Sequence, residues 1–164
     1  MTVTASPVYS TKVTHTITLA SLATDANLLA GRAGTAIDNK DTDDAIDALV
    51  GGLVTTGTSP TASKQIEVWA YASYDDTNYN EAITGTDANK TLVTKSLLRL
   101  VTIIPTTSTS NVAYHWGPFS IAQCYGGILP VQWGIFIVHN TGVNLNSTGG
   151  NHHVEHFPVK FESA

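Results

Sequence analysis

The chain has 164 residues and a formal net charge of −5, with 42% hydrophobic and 13% charged residues. This length suits one domain, and the eight Lys and Arg residues are scattered, so no basic stripe for nucleic-acid binding is present. A single cysteine excludes an internal disulfide, and no apolar run approaches the ~20 residues of a membrane-spanning helix. Threonine is the commonest residue with 24 copies. Because β-branched residues favour strands, this composition predicts an all-β fold.

The N-terminal segment is predicted to contain an arm and a strand. Residues 1–12 are expected to form a loose arm because Pro7 discourages regular structure. They hold no charged segment followed by an apolar core, so no secretory signal is predicted and synthesis in a cytoplasm is expected. Residues 12–22 alternate between apolar and polar, which predicts a half-buried strand. His15, on its apolar face, is interpreted as a core histidine with one hydrogen-bonded nitrogen, with a ligand or switch role as the alternative.

The next segment combines two short elements with an acidic loop. Residues 24–29 predict one helical turn capped by Thr24 or Asp25, and residues 30–37 predict a short edge strand. Residues 38–47 then contain five aspartates, which raises a calcium hypothesis. The segment has no central glycine and no terminal Glu, so it departs from the helix–loop–helix calcium pattern. A solvated acidic loop is the favoured interpretation, and a weak cation site is the alternative.

Two strands and a long connection are predicted in the middle of the chain. Residues 45–56 favour a strand with a bulge at Gly51-Gly52, since two glycines would cost a helix interior about 2 kcal/mol. Residues 64–73 alternate cleanly and predict a strand. Its aromatic face, with Trp69 and Tyr71, is expected to meet a second sheet or a neighbouring subunit. Residues 74–90 form a long polar connection, which is typical of a functional or mobile segment.

The C-terminal half contains the most apolar part of the chain. A strand is predicted over residues 91–105, most strongly at 97–104, and another at 111–116. Gly117-Pro118 is expected to break the ladder. Residues 120–125 predict a single helical turn closed by Gly126-Gly127. Residues 131–138 have almost no polar interruption, which predicts a central strand covered on both faces. A last strand is predicted at 153–161, interrupted by Pro158.

These elements predict one domain over residues 13–164, since no repeat or boundary is visible. Seven or eight short strands separated by long loops and short helical turns are typical of an antiparallel two-sheet sandwich. A jelly roll is the expected arrangement.

No catalytic pattern is found in the sequence. A nucleophile elbow, a phosphate-binding loop and a dinucleotide fingerprint are absent, and the glutamates are scattered singly. His152 and His156 could share a metal on a helix. On the strand predicted here they would stand ~13 Å apart at ~3.3 Å per residue, so exposed strand polarity is preferred. The sequence therefore predicts neither an enzyme nor a cofactor.

Aromatic side chains supply the candidate interface. They are interpreted mainly as core, with a protein interface and a sugar-stacking platform as the alternatives. The candidate interface residues are Tyr9, Lys12, Trp69, Tyr71, Tyr74, Tyr79, Trp116, His152 and His156.

Several stretches resemble virion proteins of tailed bacteriophages, and the resemblance covers most of the chain from about residue 20 onward. The matching stretches are GPFSIAQ, LPVQWGIFIVHNTG and the junction of TTGTSPTAS with EVW. Among small β-sandwich phage proteins, the chain looks most like capsid decoration, or cement, proteins. This resemblance implies a jelly roll that binds the major capsid protein on the outside of the head as a homotrimer. It offers no catalytic residues.

Under this hypothesis the protein is located in the virion, and the N-terminal arm and the 74–90 connection reach a neighbour. Two alternatives remain open. One is a tail tube, fibre or baseplate component, and the other is a carbohydrate-binding adhesion module, which would need an exposed Trp or Tyr in a groove.

Overall fold

The computed structural model describes residues 5–163 and is built almost entirely from strands. Within those residues the strands are β1 (Ala5–Tyr9), β2 (Val13–Thr14), β3 (Ala30–Ala33), β4 (Ile37–Asp38), β5 (Asp47–Thr55), β6 (Lys64–Ser73), β7 (Ala88–Thr91), β8 (Arg99–Thr106), β9 (Ala113–Ser120), β10 (Gln132–His139) and β11 (His153–Ser163). The helical segments are a π-helical turn (Asn39–Asp43), α1 (Ile121–Cys124) and a 3₁₀ turn (Gly149–Asn151). No helix in the described part of the chain has the length and apolarity required to cross a membrane.

The strands form two antiparallel sheets that pack as a sandwich. Sheet A has the order β1-β11-β5-β9, with β2 also pairing with β11. Sheet B has the order β7-β3-β10-β6-β8, with β4 also pairing with β10. The prediction of an all-β, two-sheet sandwich is confirmed.

The strand order is that of a jelly roll. Antiparallel pairs are nested around the β6–β8 connection: β6 with β8, β5 with β9, β3 with β10, and β1 with β11. Successive pairs lie in alternate sheets, so the chain is one long antiparallel ribbon folded over itself. Successive connections therefore alternate between the two ends of the sandwich. Those at 39–46, 74–87 and 121–131 lie at one end, and those at 56–63, 107–112 and 140–152 lie at the other.

The central strand β10 is buried on both faces, as predicted. Trp133, Ile135 and Ile137 point into the core between the sheets and are fully buried. Phe136 and Val138 point to the other side of sheet B and are also fully buried. Neighbours on both sides explain the uninterrupted apolar sequence of this strand.

The outer face of sheet B is covered by the chain's own β6–β8 connection. Ile83, Leu92 and Leu98 from this connection pack over Tyr71 and Phe136. The connection also contributes β7, which pairs with β3 at the sheet edge. The aromatic face of β6 is therefore covered by the chain itself and does not meet the second sheet, contrary to the first expected arrangement.

Both ends of the chain are more regular than the prolines suggested. Residues 5–9 of the predicted loose arm form the edge strand β1, in which Pro7 lies opposite Phe161; residues 1–4 lie outside the described part. An edge strand tolerates proline because its N–H side can face solvent. Strand β11 continues through Pro158, which lies opposite Ala48 and whose carbonyl accepts a hydrogen bond from Ser10 N at 2.8 Å.

The predicted strand at 12–22 was too long. Strand β2 ends at Thr14. After one more backbone hydrogen bond to β11, from His15 N to Val154 O at 2.8 Å, the chain crosses towards sheet B, where Thr16 O accepts a hydrogen bond from Thr35 N at 2.8 Å. The predicted helical turn at 24–29 is instead a turn organised by Asp25. One of its carboxylate oxygens accepts from Leu29 N and Ala30 N, both at 2.7 Å.

Strand β3 was predicted at an edge but lies between β7 and β10. The bulge predicted in β5 is present, with the register shifting between Val50 and Gly52. The predicted turn α1 is also present, and Ser120 Oγ accepts from Gln123 N at 3.0 Å as its N-cap.

Strand β9 does not end at Gly117-Pro118. These two residues form the bulge opposite Gly51, and pairing resumes at Phe119 opposite Val50. Gly117 has a φ of +87°, and a Cβ there would lie 2.5 Å from Val50 O. Glycine is therefore required for the close approach at this bulge.

Candidate binding surfaces

Four of the nine candidate interface residues are buried inside the sandwich. Tyr71 and His156 are 0% exposed, and Trp116 and His152 are each 8% exposed. The interpretation of His152 and His156 as exposed strand polarity was wrong. Both point towards the core, whereas the neighbouring His153 and Glu155 lie on the outer face of sheet A. These four side chains hold the fold together and present almost no surface to a partner.

His15 and His156 form a hydrogen-bonded pair in the core beside Trp133. His15 Nε2 lies 3.0 Å from His156 Nδ1, and the Trp133 ring contacts both imidazoles edge-on, with centroids about 5 Å away. His15 Nδ1 has no hydrogen-bond partner within residues 5–163. Burial, and secondly the proximity of His156, lowers the pKa of His15 to about 3. The prediction of a core histidine with one bonded nitrogen is confirmed.

Two more histidines fix the connections at one end of the sandwich. His139 Nε2 lies 3.0 Å from Leu22 O, and its Nδ1 lies 2.9 Å from Thr141 Oγ1. His152 Nδ1 accepts from Thr55 N, and its Nε2 donates to Asn146 O at 2.8 Å. Burial lowers the pKa of both imidazoles. These contacts tie residues 21–22 and 140–152 to the strand ends.

Trp69 lies beneath the β6–β8 connection, Tyr79 belongs to that connection, and both side chains are partly buried. Trp69 Nε1 donates to Glu67 at 2.8 Å, and the Tyr79 hydroxyl bonds to Gln132. The 74–90 segment, which was expected to reach a neighbour, packs back onto its own sheet at Tyr79 and Ile83.

The remaining candidates lie at the surface. Tyr9 on β1 is 70% exposed, and Tyr74 after β6 is 83% exposed. Lys12 Nζ makes an ion pair with Glu155 at 2.8 Å. Tyr9 and Tyr74 belong to two separate surfaces.

One end of the sandwich exposes apolar side chains and is called here the apolar end. It is defined by Ile46, Tyr74, Leu97, Ile128 and Phe161, which are between 38% and 83% exposed. Two adjoining hollows of about 910 and 460 Å³ lie at this end and share Ile128 and Leu129. The two hollows thus form one mainly apolar surface made by three different connections and the end of β11.

The opposite end, called here the polar end, is lined by small polar residues. It consists of the connections 56–63, 107–112 and 140–152, which are rich in Ser, Thr, Asn and Gly. None of the exposed large hydrophobic side chains found within residues 5–163 lies in these connections. The two ends therefore differ sharply in chemical character.

The acidic segment 38–47 is a structured turn beside the apolar end. Asp38 Oδ1 accepts from Lys40 N and Asp41 N at 3.0 and 3.1 Å, and Asp47 Oδ1 accepts from Ala122 N at 2.9 Å. Two of the aspartates thus accept hydrogen bonds from backbone N–H groups, Asp38 within its own turn and Asp47 from α1. Across residues 5–163 no group of three or more His, Cys, Asp or Glu side chains is placed to hold a metal ion.

A groove on the outer face of sheet A was not predicted from the sequence. Its volume is about 620 Å³, and it is lined by Tyr9, Leu49, Gly51, Gly52, His115, Trp116, Gly117, Pro118, His153, Glu155 and Phe157. These residues come from four strands that are distant in sequence. The sequence features that could have indicated the groove are the Gly51-Gly52 pair and the alternation of β11. Only the register of the strands shows that these residues lie next to each other.

No protein-family model matches the chain, and neither the curated proteins nor the solved structures searched contain a match to it.

Proposed function

We propose that this chain is a non-enzymatic structural protein of a tailed-bacteriophage virion. In this proposal it is a decoration protein that binds the major capsid protein on the outside of the head. It acts as a homotrimer and stabilises the contacts between capsomers. The resemblance of the sequence to phage virion proteins and the jelly-roll topology both support this function.

The observation that carries the proposal is the contrast between the apolar end and the polar end. A surface that stays in water is expected to be polar, whereas a contiguous apolar surface marks a site of protein contact. In this proposal the apolar end packs against the capsid, and the polar end points outward into solvent. The five exposed side chains of the apolar end supply the buried anchors that dominate protein interfaces.

The sheet edges support docking through side chains rather than through added strands. Of the edge strands in residues 5–163, β1 carries Pro7 and β7 has only four residues, including Lys90. β8 has a bulge at Val101, and β9 has the bulge at Gly117-Pro118. Prolines, charges and bulges each discourage edge-to-edge pairing. Association through the apolar end fits these blocked edges.

Stabilisation of the shell would follow from mass action. A protein that binds the assembled shell but not its dissociated subunits stabilises the shell by RT ln(1 + [L]/Kd). No bond is made or broken in this process, and no cofactor takes part.

The experiment is to mix purified protein with undecorated heads and measure co-sedimentation and heat resistance of the heads. The wild-type chain is expected to bind and to raise the temperature at which the heads break open. Ile128→Ser should weaken binding about tenfold or more, since burying an isoleucine contributes about 1.5–3 kcal/mol. Val93→Ser is the matched control, because Val93 is also an exposed β-branched residue (88%) but lies outside the apolar end.

Absence of binding by the wild-type chain would overturn the proposed function. Equal binding by Ile128→Ser and Val93→Ser would instead show that the chain binds heads through a different surface. Assembly of the purified protein into rings of six or into tubes would favour a tail component.

A further inference from the structure

The geometry points to a second binding site: the groove on the outer face of sheet A takes a neutral saccharide. This site is separate from the apolar end, and the inference does not depend on head binding. It is carried by three features of the groove, which are its shape, its aromatic walls and its charge balance.

The shape follows from the strand register. Opposite residues of β11 and β5 share the outer face, in the pairs Phe157 with Leu49, Glu155 with Gly51, and His153 with Leu53. The middle pair has no side chain on β5, and Gly117, whose backbone lies close to Gly51, adds no side chain on the β9 side. The groove of about 620 Å³ is therefore open down to the backbone at its centre. This volume lies within the range of small-molecule sites.

Aromatic and hydrogen-bonding groups surround this open centre. Tyr9 (70% exposed) and Phe157 (44% exposed) line one side, and His115 and Pro118 line the other. His153 and Glu155 are within the same lining. A sugar ring has C–H faces that pack on aromatic rings, and hydroxyl groups that exchange hydrogen bonds with imidazole and carboxylate groups. The lining supplies both kinds of partner.

The charge balance of the lining favours an uncharged ligand. Glu155 is the only carboxylate among the lining residues, and Lys12 Nζ pairs with it at 2.8 Å. The hydrogen bond from Lys12 holds the pKa of Glu155 below its usual range. No Lys or Arg is part of the lining. A charged ligand would therefore find no unmatched charge in the groove.

The test begins with an array of neutral oligosaccharides built from glucose, galactose, mannose or N-acetylglucosamine, with sialylated and uronic-acid oligosaccharides for comparison. The best-bound neutral oligosaccharide is then titrated into ¹⁵N-labelled protein. The expected result is a set of chemical-shift changes centred on Gly51, Gly52 and Gly117. Binding should persist in about 1 M salt, where the Debye length is only about 3 Å.

Two tyrosine variants provide a matched comparison. Tyr9→Ala is expected to weaken saccharide binding about tenfold, because it removes an aromatic wall. Tyr74→Ala removes a similarly exposed tyrosine at the apolar end and should bind saccharide as the wild-type chain does. If either variant fails to fold, the shift map of the wild-type chain decides the question.

Three outcomes would overturn the inference. They are binding of no neutral oligosaccharide, shift changes located outside the groove, and equal affinity of Tyr9→Ala and Tyr74→Ala. Perturbation of the groove by a second copy of the chain alone would also overturn it and would identify the groove as a subunit contact. None of these results depends on whether the chain binds heads.

Discussion

Histidine burial is the most consequential feature of this protein at the scale of single residues. His15, His139, His152 and His156 are all at most 8% exposed. Protonating an imidazole at such a site places a charge where water cannot solvate it, so burial favours the neutral form. Each of these rings also joins segments that are far apart in sequence, as His15 joins His156 across 141 positions.

Acid should therefore destabilise the fold. The pKa of His15 is lowered from 6.5 to about 3 in the folded chain, so the unfolded chain binds the proton more readily. His15 then contributes stability that is present above pH 6.5 and is lost as the pH falls from 6.5 towards 3. The slope should be about 1.4 kcal/mol per pH unit for each proton taken up on unfolding. Chemical denaturation at a series of pH values measures this slope.

His15→Phe should be less stable than the wild-type chain near pH 8, because it breaks the hydrogen bond to His156. Its free energy of unfolding should depend less steeply on pH, because about one proton fewer is taken up on unfolding. His115→Phe serves as the control, since it replaces an exposed histidine outside the buried core. A wild-type slope of zero between pH 6.5 and 4 would contradict this account of the core.

The sequence predicts the burial of some of these histidines but not of others. His15 was predictable because it falls on the apolar side of an alternating segment. His152 and His156 follow a Gly-Gly turn and flank a glutamate, so their local pattern is that of a solvated strand. Their burial depends on β11 lying between β1 and β5, which no local signal shows.

At the scale of elements, the β6–β8 connection is held on sheet B by a buried polar cluster. Glu67 is 5% exposed, and its carboxylate accepts from Gln65 Nε2 at 2.6 Å and from Trp69 Nε1 at 2.8 Å. Lys95 of the connection pairs with the same carboxylate, and its Nζ lies 5.0 Å from the Trp69 ring centroid. The cluster anchors residues 92–98 over the outer face of the sheet.

Glu67→Gln should destabilise the domain by about 2–3 kcal/mol, because it leaves the largely buried Lys95 without a counter-charge. Lys40→Met provides the control. It removes an exposed pair with Asp76 and should change the free energy of unfolding much less. Denaturant titration gives both values, and hydrogen exchange should show residues 92–98 opening first in Glu67→Gln. A loss in Glu67→Gln no larger than in Lys40→Met would show that the cluster does not anchor the connection.

The prediction of strands succeeded where the residue pattern indicates the surroundings of both faces of the strand. β6 and β10 were located to within one residue. The residues of β6 alternate between two kinds of side chain, one for each face, and the uninterrupted apolar run of β10 indicates that both of its faces are covered. Prediction failed at Pro7, Pro158 and Gly117-Pro118, which were taken as interruptions. An edge position tolerates Pro7, and a bulge accommodates Gly117-Pro118. Whether a strand lies at an edge is a property of the sheet, so local sequence does not reveal it.

At the scale of the whole molecule, the jelly roll separates two surfaces. The alternation of connections gathers Ile46, Ile128 and Phe161 at the apolar end, although they are widely spaced in sequence. The groove lies instead on the outer face of sheet A. The fold class was predictable from composition and strand spacing. Neither the apolar end nor the groove was predictable, because each depends on pairings between strands that are far apart along the chain.

The central claim is that the chain binds the outside of the head through its apolar end. Electron cryo-microscopy of undecorated heads incubated with the purified chain tests this claim most directly. The account predicts added density on the outer surface of the shell, with Ile128 and Phe161 facing the capsid and the 140–152 connection facing solvent. Bare heads, or a chain seated with its 140–152 connection against the shell, would contradict it.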